Sequence, residues 1–169
     1  MELTTNRAIG EALLKAVQGH DLKKVRAIAR AVEAQRQRQW RVATLRSQGG
    51  FGDAPGPSLV SLDASVNASG ITGFHLACKA WQVHREWPVS AARFDRMAES
   101  LLQGGASPFA EFGPPGAKRT IFQELGPGIV PPLVAQWMAQ QRFDELSSVS
   151  EVAQTQKSHR CKPANWRTG

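Results

Sequence analysis

Residues 72–108 decide the fold of this chain, because a helix-opening motif and a helix-closing motif stand at their ends. The stretch opens with Thr72-Gly-Phe-His-Leu-Ala-Cys78 and closes with Leu101-Leu-Gln-Gly-Gly-Ala-Ser-Pro108. A threonine hydroxyl caps the first turn of a helix, and glycine followed by proline is typical of a helix end. We predict a short helix from Thr72, a loop with Trp81, Trp87 and Pro88, and a longer helix that ends near Gln103.

A similar pair of helices is predicted upstream of this stretch. Apolar residues recur at helical spacing from Glu11 to Val32 and are interrupted once, at 18–21. Gly19 is expected to end the first helix in a left-handed conformation, and Asp21 to cap the second. The second helix is rich in good helix formers as far as Arg46, before a glycine- and proline-rich loop at 48–58.

A third, weaker pair is predicted downstream. Residues 120–125 form a short helix that begins at a threonine, and residues 130–141 form a longer helix with two prolines in its first turn. Helix pairs of this kind cannot bury their apolar faces alone, so neighbouring pairs have to stack. The predicted fold class is all-α. The predicted architecture is an α-solenoid of about three stacked helix–turn–helix units with long loop insertions.

The units resemble ankyrin repeats. Residues 72–78 resemble the Thr-Pro-Leu-His-x-Ala opening of that repeat, and residues 101–108 resemble its Leu-Leu-x-x-Gly-Ala-Asp-Pro close. Residues 64–68 resemble the hairpin between repeats, and residues 11–31 are similar to an N-terminal capping repeat. Two departures are clear. Gly73 stands at the position of the motif's proline, and Thr72 and Thr120 are 48 residues apart against a period of about 33.

The excess length is assigned to insertions. We place one insertion at 33–62, one between the helices at 81–92 and one near 112–118. The expected organisation is a single domain at 1–153, followed by a basic tail at 154–169. The domain comprises units at about 11–62, 63–112 and 113–141 and a capping helix at 142–153.

Composition and charge narrow the class of protein. Hydrophobic residues make up 41% of the chain, which excludes wholesale disorder. No apolar run approaches the roughly 20 residues that a membrane span needs, and the first residues lack a signal-peptide pattern. Two cysteines are too few for a disulfide framework. We therefore expect a cytoplasmic protein that is not attached to a membrane and is monomeric when alone.

No pattern of catalytic or metal-binding residues is found. The chain has no Gly-x-Ser-x-Gly elbow, and the glycines at 49–52 lack the Lys-Ser/Thr of a phosphate-binding loop. His159 and Cys161 form a single pair, whereas a zinc site needs about four ligands. His20 and His75 are interpreted as structural, and Cys78 as a small buried hydrophobe. We predict a protein that is not an enzyme and that uses no metal or other cofactor.

The ankyrin resemblance implies protein–protein recognition on a concave surface lined by hairpin tips and inner short helices. A small array of this kind suggests, more specifically, an inhibitor or immunity-type partner of another protein. The net charge of +7, with ten of the 21 basic residues in the first 50, favours a partner with an acidic surface. The candidate partner-binding residues are Asn67, Ser69, Ile71, Lys79, Trp81, Phe109, Glu111, Phe112 and Lys118.

Nucleic-acid binding is the alternative interpretation. On a continuous helix Arg26, Arg30, Arg38 and Arg41 of segment 23–46 fall within a sector of about 120°, where they could grip a phosphate backbone together with the tail. The competing interpretation is that these arginines only keep an exposed flank hydrated. The candidate nucleic-acid-binding residues are Arg26, Arg30, Arg38, Trp40 and Arg41.

Overall fold

A computed structural model describes residues 5–48 and 59–141, and the regular elements of these ranges are all helices. The helices are α1 (Asn6–Gln18), α2 (Leu22–Gln48), α3 (Gly73–Val83), α4 (Pro88–Gln103), α5 (Ile121–Leu125) and α6 (132–141). Within these two ranges there is no strand, only two isolated bridges, so the all-α prediction is confirmed. The loop at 49–58, the capping helix at 142–153 and the tail at 154–169 lie outside the described residues.

The turn between α1 and α2 is as short as predicted, but glycine does not take the left-handed position. Gly19 has a φ of −79°, and His20 has a φ of +53°. The His20 N–H donates to the Val17 carbonyl (3.0 Å) and the Asp21 N–H to the Ala16 carbonyl (2.9 Å). This hydrogen-bond pattern places the left-handed residue one position after the cap. Asp21 caps α2 as predicted, because its Oδ1 accepts from the Lys24 N–H at 2.9 Å.

The predicted loop at 81–92 is wrong, because most of these residues are helical. Trp81 belongs to α3, and Pro88 is the first residue of α4. Proline is favoured at the first helical position, where its missing N–H would have had no helical acceptor. Residues 84–87 alone separate the two helices.

The core lies where α1, α2, α3 and α4 meet. α3 packs on α4, α2 packs on α4, and α1 packs on both α2 and α3. The apolar stripes identified from the sequence are the buried faces, and each large side chain among them contributes about 1.5–3 kcal/mol through burial. The largest fully buried apolar side chains are those of Ile9, Leu13, Val25, Val32, Leu62, Phe74, Phe94, Met97, Leu101, Ile121 and Val134.

The described residues up to Val134 belong to one compact unit, and residues 135–141 belong to a second. Of that second unit the structure describes residues 135–141, which are helical. None of the helices in the described ranges is both long enough and apolar enough to span a bilayer.

Candidate functional site

Two hairpin turns stand side by side in front of α3 and α5. Ser65 bridges to Thr72 in the first hairpin, and Phe112 bridges to Arg119 in the second. The two bridges are 47 residues apart in sequence. The Gly113 N–H of the second hairpin donates to the Ser69 carbonyl of the first at 2.8 Å. The hairpins are therefore joined backbone to backbone, and their exposed tips form one continuous edge of the molecule.

The helix that follows each hairpin begins with the same capping arrangement. The Thr72 hydroxyl accepts from the His75 N–H (3.4 Å), while His75 Nδ1 accepts from the Thr72 N–H (2.9 Å). At α5 the Thr120 hydroxyl accepts from the Gln123 N–H (3.4 Å), and Gln123 Oε1 accepts from the Thr120 N–H (2.8 Å). The sequence analysis missed Gln123, although threonine followed three residues later by glutamine is a capping-box signal.

His75 is a structural residue in this arrangement. Its Nδ1 accepts from Thr72, so the neutral ring carries its proton on Nε2, which donates to the Ala110 carbonyl at 2.9 Å. Burial lowers the pKa of His75 below its usual 6.5 and holds the ring neutral. The side chain thus fastens the start of α3 to the segment that leads into the second hairpin.

Phe112 does not belong to an exposed binding surface. It is 4% exposed, and its ring lies 4.5 Å from that of His75. Lys79 and Arg119 lie over the same ring, 5.3 and 5.8 Å from its centre. The burial could not be foreseen from the sequence around position 112, because the covering groups come from α3 and from the far side of the hairpin.

The other predicted partner-binding residues separate into three groups. Asn67, Ser69, Phe109, Glu111 and Lys118 are exposed, and Ile71 and Lys79 are half-buried beside them. Trp81 is half-buried and follows Lys79 by two residues on α3, so the two side chains point about 200° apart around the helix axis. We call Ser69, Phe109, Glu111 and Lys118 the hairpin surface.

Phe109 is the most prominent apolar group of the hairpin surface. It is 59% exposed, and its ring makes an edge contact with Phe122 at 6.1 Å. The Asn67 side chain, in contrast, is occupied locally, because its Oδ1 accepts from the Ser69 and Ile71 N–H groups at 3.1 and 3.2 Å. Asn67 therefore shapes the first hairpin, while Phe109 presents a largely exposed apolar ring.

A carboxylate that the sequence analysis did not identify organises the charges behind the hairpins. Glu124 on α5 pairs with Lys79 and with Arg119, the latter at 2.7 Å. The hydrogen bond from Lys79 is the main reason why the pKa of Glu124 is lowered, and Arg119 adds to the effect. Lys79 is therefore held in an ion pair, which leaves Lys118 as the exposed cation of the hairpin surface.

The predicted nucleic-acid-binding residues are all exposed, but the structure distributes them over two places. Arg26 and Arg30 line a cavity of about 460 Å³ between α2 and α4, and Arg26 Nε donates to the Ser100 hydroxyl at 3.3 Å. Trp40 and Arg41 line a second cavity of about 420 Å³ with Leu59. Arg38 lines neither cavity.

The remaining chemical groups of the described chain have structural roles. Asp63 accepts from the Ser107 N–H at 2.8 Å, and Asp95 accepts from the Leu133 N–H at 3.1 Å. Burial strongly raises the pKa of the Cys78 thiol, which keeps it protonated and unreactive. Within residues 5–48 and 59–141, no three His, Cys, Asp or Glu side chains come close enough together to hold a metal ion. His159 and Cys161 lie outside the described residues.

Comparison of the chain with family models, with characterised proteins and with solved structures finds no significant match. The resemblance to ankyrin repeats therefore rests on the motifs and contacts of this chain.

Proposed function

We propose that this protein is a short, divergent ankyrin-type solenoid that recognises another protein and has no enzymatic activity. The single observation that carries the proposal is the repeated hairpin unit. Two hairpins, each followed by a threonine-capped helix, are joined by the bond from Gly113 to Ser69. A unit that recurs and contacts its own copy is the defining property of a solenoid.

The packing of the helix pairs supports the same architecture. The short helix α1 packs on the short helix α3, and the long helix α2 packs on the long helix α4. Each element of one pair thus meets its counterpart in the next pair. The 48-residue spacing between Thr72 and Thr120 also fits such an array. It accommodates the 16 residues of α4, and the hairpins before α3 and α5 still form.

The hairpin surface supports recognition of a protein. Aromatic side chains are enriched at protein interfaces and among the residues that dominate binding energy. Phe109 is a largely exposed aromatic side chain, and the charged Glu111 and Lys118 are exposed in the same stretch of chain. The proposed partner is a protein with an acidic surface. One proposed role of this binding is the inhibition of a toxin or effector protein. A cytoplasmic setting fits a buried, reduced Cys78.

Affinity capture with paired variants tests the proposal. The bait is the full chain, incubated with the cytosol of its native host after nuclease treatment. The test variant is Phe109→Ser/Lys118→Glu, and the matched control is Val42→Ser/Arg38→Glu, which makes the same two kinds of change on exposed positions of α2. We expect one protein to be retained by the wild type and the control and lost with the test variant. Equal retention by all three baits would refute the role of the hairpin surface.

Nucleic-acid binding through residues 23–46 and the tail is the second candidate. The observation that favours it is the exposure of Trp40 between Arg38 and Arg41, neither of which forms an ion pair within the described residues. An aromatic side chain between arginines can stack on a base while the cations contact phosphates. This candidate predicts affinity for generic DNA that falls steeply with salt and is lost in Arg38→Glu/Arg41→Glu.

A further inference from the structure

A groove with a strong excess of positive charge runs between α2 and α4. The N-terminal part of α2 lines it beside the first turns of α4, and Arg30 lines it beside the end of α4, so the two helices run parallel. The groove consists of two cavities of about 810 and 460 Å³. We call it the basic groove, after its five cations: Lys23, Arg26, Arg30, Arg93 and Arg96.

A short chain of hydrogen bonds joins the two cavities. Arg26 Nε donates to the Ser100 hydroxyl (3.3 Å), and that hydroxyl donates to the Arg96 carbonyl (2.6 Å). Arg26 lines the smaller cavity and Arg96 the larger one. Arg26 of the smaller cavity is therefore linked to the Arg96 backbone of the larger one along the seam of the two helices.

The positive charge of the groove is not neutralised by its own carboxylates. None of the five cations forms an ion pair within the part of the chain that the structure describes. Two acidic residues line the groove, and both are engaged elsewhere. Asp21 caps α2 through Lys24, and Glu33 pairs with Arg36 at 2.7 Å. The five cations are therefore available to pair with a ligand that carries several negative charges.

The start of α4 adds to this positive potential. Its N-cap residue, Trp87, makes no side-chain hydrogen bond to the helix, and the first turn contains no acidic residue. The first N–H groups of a helix have no helical acceptor, and the helix dipole makes this end positive. Because Pro88 and Val89 line the larger cavity, the positive end of α4 lies at the groove.

Exposed apolar side chains border the same end of the groove. Val83, Trp87 and Val89 are 70%, 57% and 78% exposed. They lie in and around the α3–α4 turn. A smaller cavity that includes Val83 shares the His20 wall with the groove. A phosphate backbone gains nothing from such an apolar border, whereas an amphipathic protein segment buries its apolar face there.

We propose that the basic groove and its apolar border, Val83, Trp87 and Val89, dock an acidic, amphipathic helical segment of a partner protein. The carboxylates of the segment pair with Arg93, Arg96 and Lys23, and its apolar stripe covers the border. This surface is distinct from the hairpin surface. The joined hairpins lie at the start of α3, where Ser65 bridges to Thr72 and Gly113 bonds to Ser69. The border lies at the end of α3, and this 11-residue helix separates its ends by about 16 Å.

Direct binding of a defined peptide tests this docking site. The probe is a fluorescent synthetic helix of about 20 residues with leucine along one face and glutamate along the other, titrated with the full chain at low salt. Arg93→Glu/Arg96→Glu is expected to weaken binding by about tenfold or more. The control Arg38→Glu/Arg41→Glu, with the same change of net charge, is expected to weaken it by less than about threefold.

A second variant separates protein docking from phosphate binding. Val83→Ser/Val89→Ser keeps the charge and is expected to weaken peptide binding by about fivefold or more, and to leave binding of a DNA duplex of about 20 base pairs unchanged. Phe109→Ser/Lys118→Glu is expected to bind the peptide like the wild type, so a failure of the hairpin surface remains distinguishable from a failure of this groove.

Three results would overturn the proposal. The first is the absence of peptide binding by the wild type, and the second is an equal loss in the two arginine variants, which would reduce the effect to net charge. The third is tight DNA binding that is lost in Arg93→Glu/Arg96→Glu, together with peptide binding insensitive to Val83→Ser/Val89→Ser. That combination would assign the groove to a phosphate backbone.

Discussion

The capping boxes of α3 and α5 share the same hydrogen bonds at the helix start. They differ in whether the third residue of the helix also contacts another part of the chain. At α3 the third residue of the helix is His75, whose ring is buried and reaches past its own helix to the Ala110 carbonyl. At α5 the corresponding residue is Gln123, which is exposed and bonds to the helix start alone. The histidine therefore joins two successive units, and the glutamine only starts a helix.

The same contrast explains the two phenylalanines at and just before the second hairpin. Phe112 packs on the ring of His75 and belongs to the joint between units, whereas Phe109 stands outside it. Residues that look equivalent in sequence thus divide into those that hold the array together and those available to a partner. Substitutions on the two sides of this division are expected to have very different effects.

The largest expected effect is that of Phe112→Ala. Removal of a fully packed aromatic ring leaves a cavity beside His75 and is expected to cost about 3–5 kcal/mol in the free energy of unfolding. Phe109→Ala is expected to cost less than about 0.5 kcal/mol, because its ring is mostly in water. Denaturant unfolding of both variants measures the difference. Similar costs would mean that the burial assigned to these two positions is incorrect.

His75→Ala is expected to have the next largest effect. The substitution removes the acceptor for the Thr72 N–H and the donor to Ala110, and it opens a cavity under Phe112, at a cost of about 2–4 kcal/mol. Gln123→Ala removes an exposed cap alone and is expected to cost about 0.5–1 kcal/mol. The comparison would fail if the two losses were equal, since His75 would then act as a local cap and nothing more.

A smaller effect is expected from pH. Burial lowers the pKa of His75 below 6.5, so the folded protein binds fewer protons at this site than the unfolded chain. The stability that neutral His75 contributes is complete above pH 6.5. It is lost as the pH falls through that value towards the folded-state pKa, at no more than about 1.4 kcal/mol per pH unit.

Unfolding measured between about pH 7.5 and pH 5.5 checks this dependence. His75→Gln is the matched variant, because an amide keeps hydrogen bonds and does not titrate. The variant is expected to lose the part of the slope that His75 supplies. Glu124, whose pKa is lowered, acts in the same direction but below its usual value of 4.5, outside this interval. A slope that His75→Gln leaves unchanged would contradict the assignment.

Local signals were sufficient to predict most of the helices in the described residues. Thr72, Thr120 and Asp21 cap helices as their sequence context indicates, and the predicted apolar stripes are the buried faces. Two local predictions failed for identifiable reasons. Pro88 was interpreted as a loop residue, although proline at the first position favours a helix. Gly19 was preferred over His20 for the left-handed turn, where the ring of His20 contacts Phe94 at 4.7 Å.

The sites depend on contacts that a single sequence does not reveal. Arg93 and Arg96 become part of the basic groove only because α4 lies parallel to α2 and brings them beside Lys23. Phe112 is buried by a histidine 37 residues earlier in the chain. In both examples the local sequence shows the residue type, and long-range packing decides whether the side chain holds the fold or faces a partner.

Site-specific photo-crosslinking tests the central claim, protein recognition through the hairpin surface, most directly. A photoreactive phenylalanine analogue is introduced at Phe109, and at Val42 as an exposed control on α2, and each protein is irradiated in nuclease-treated native cytosol. The account predicts one discrete protein adduct from position 109 and none of that mass from position 42. Identical adduct patterns at the two positions, or no adduct at position 109, would contradict it.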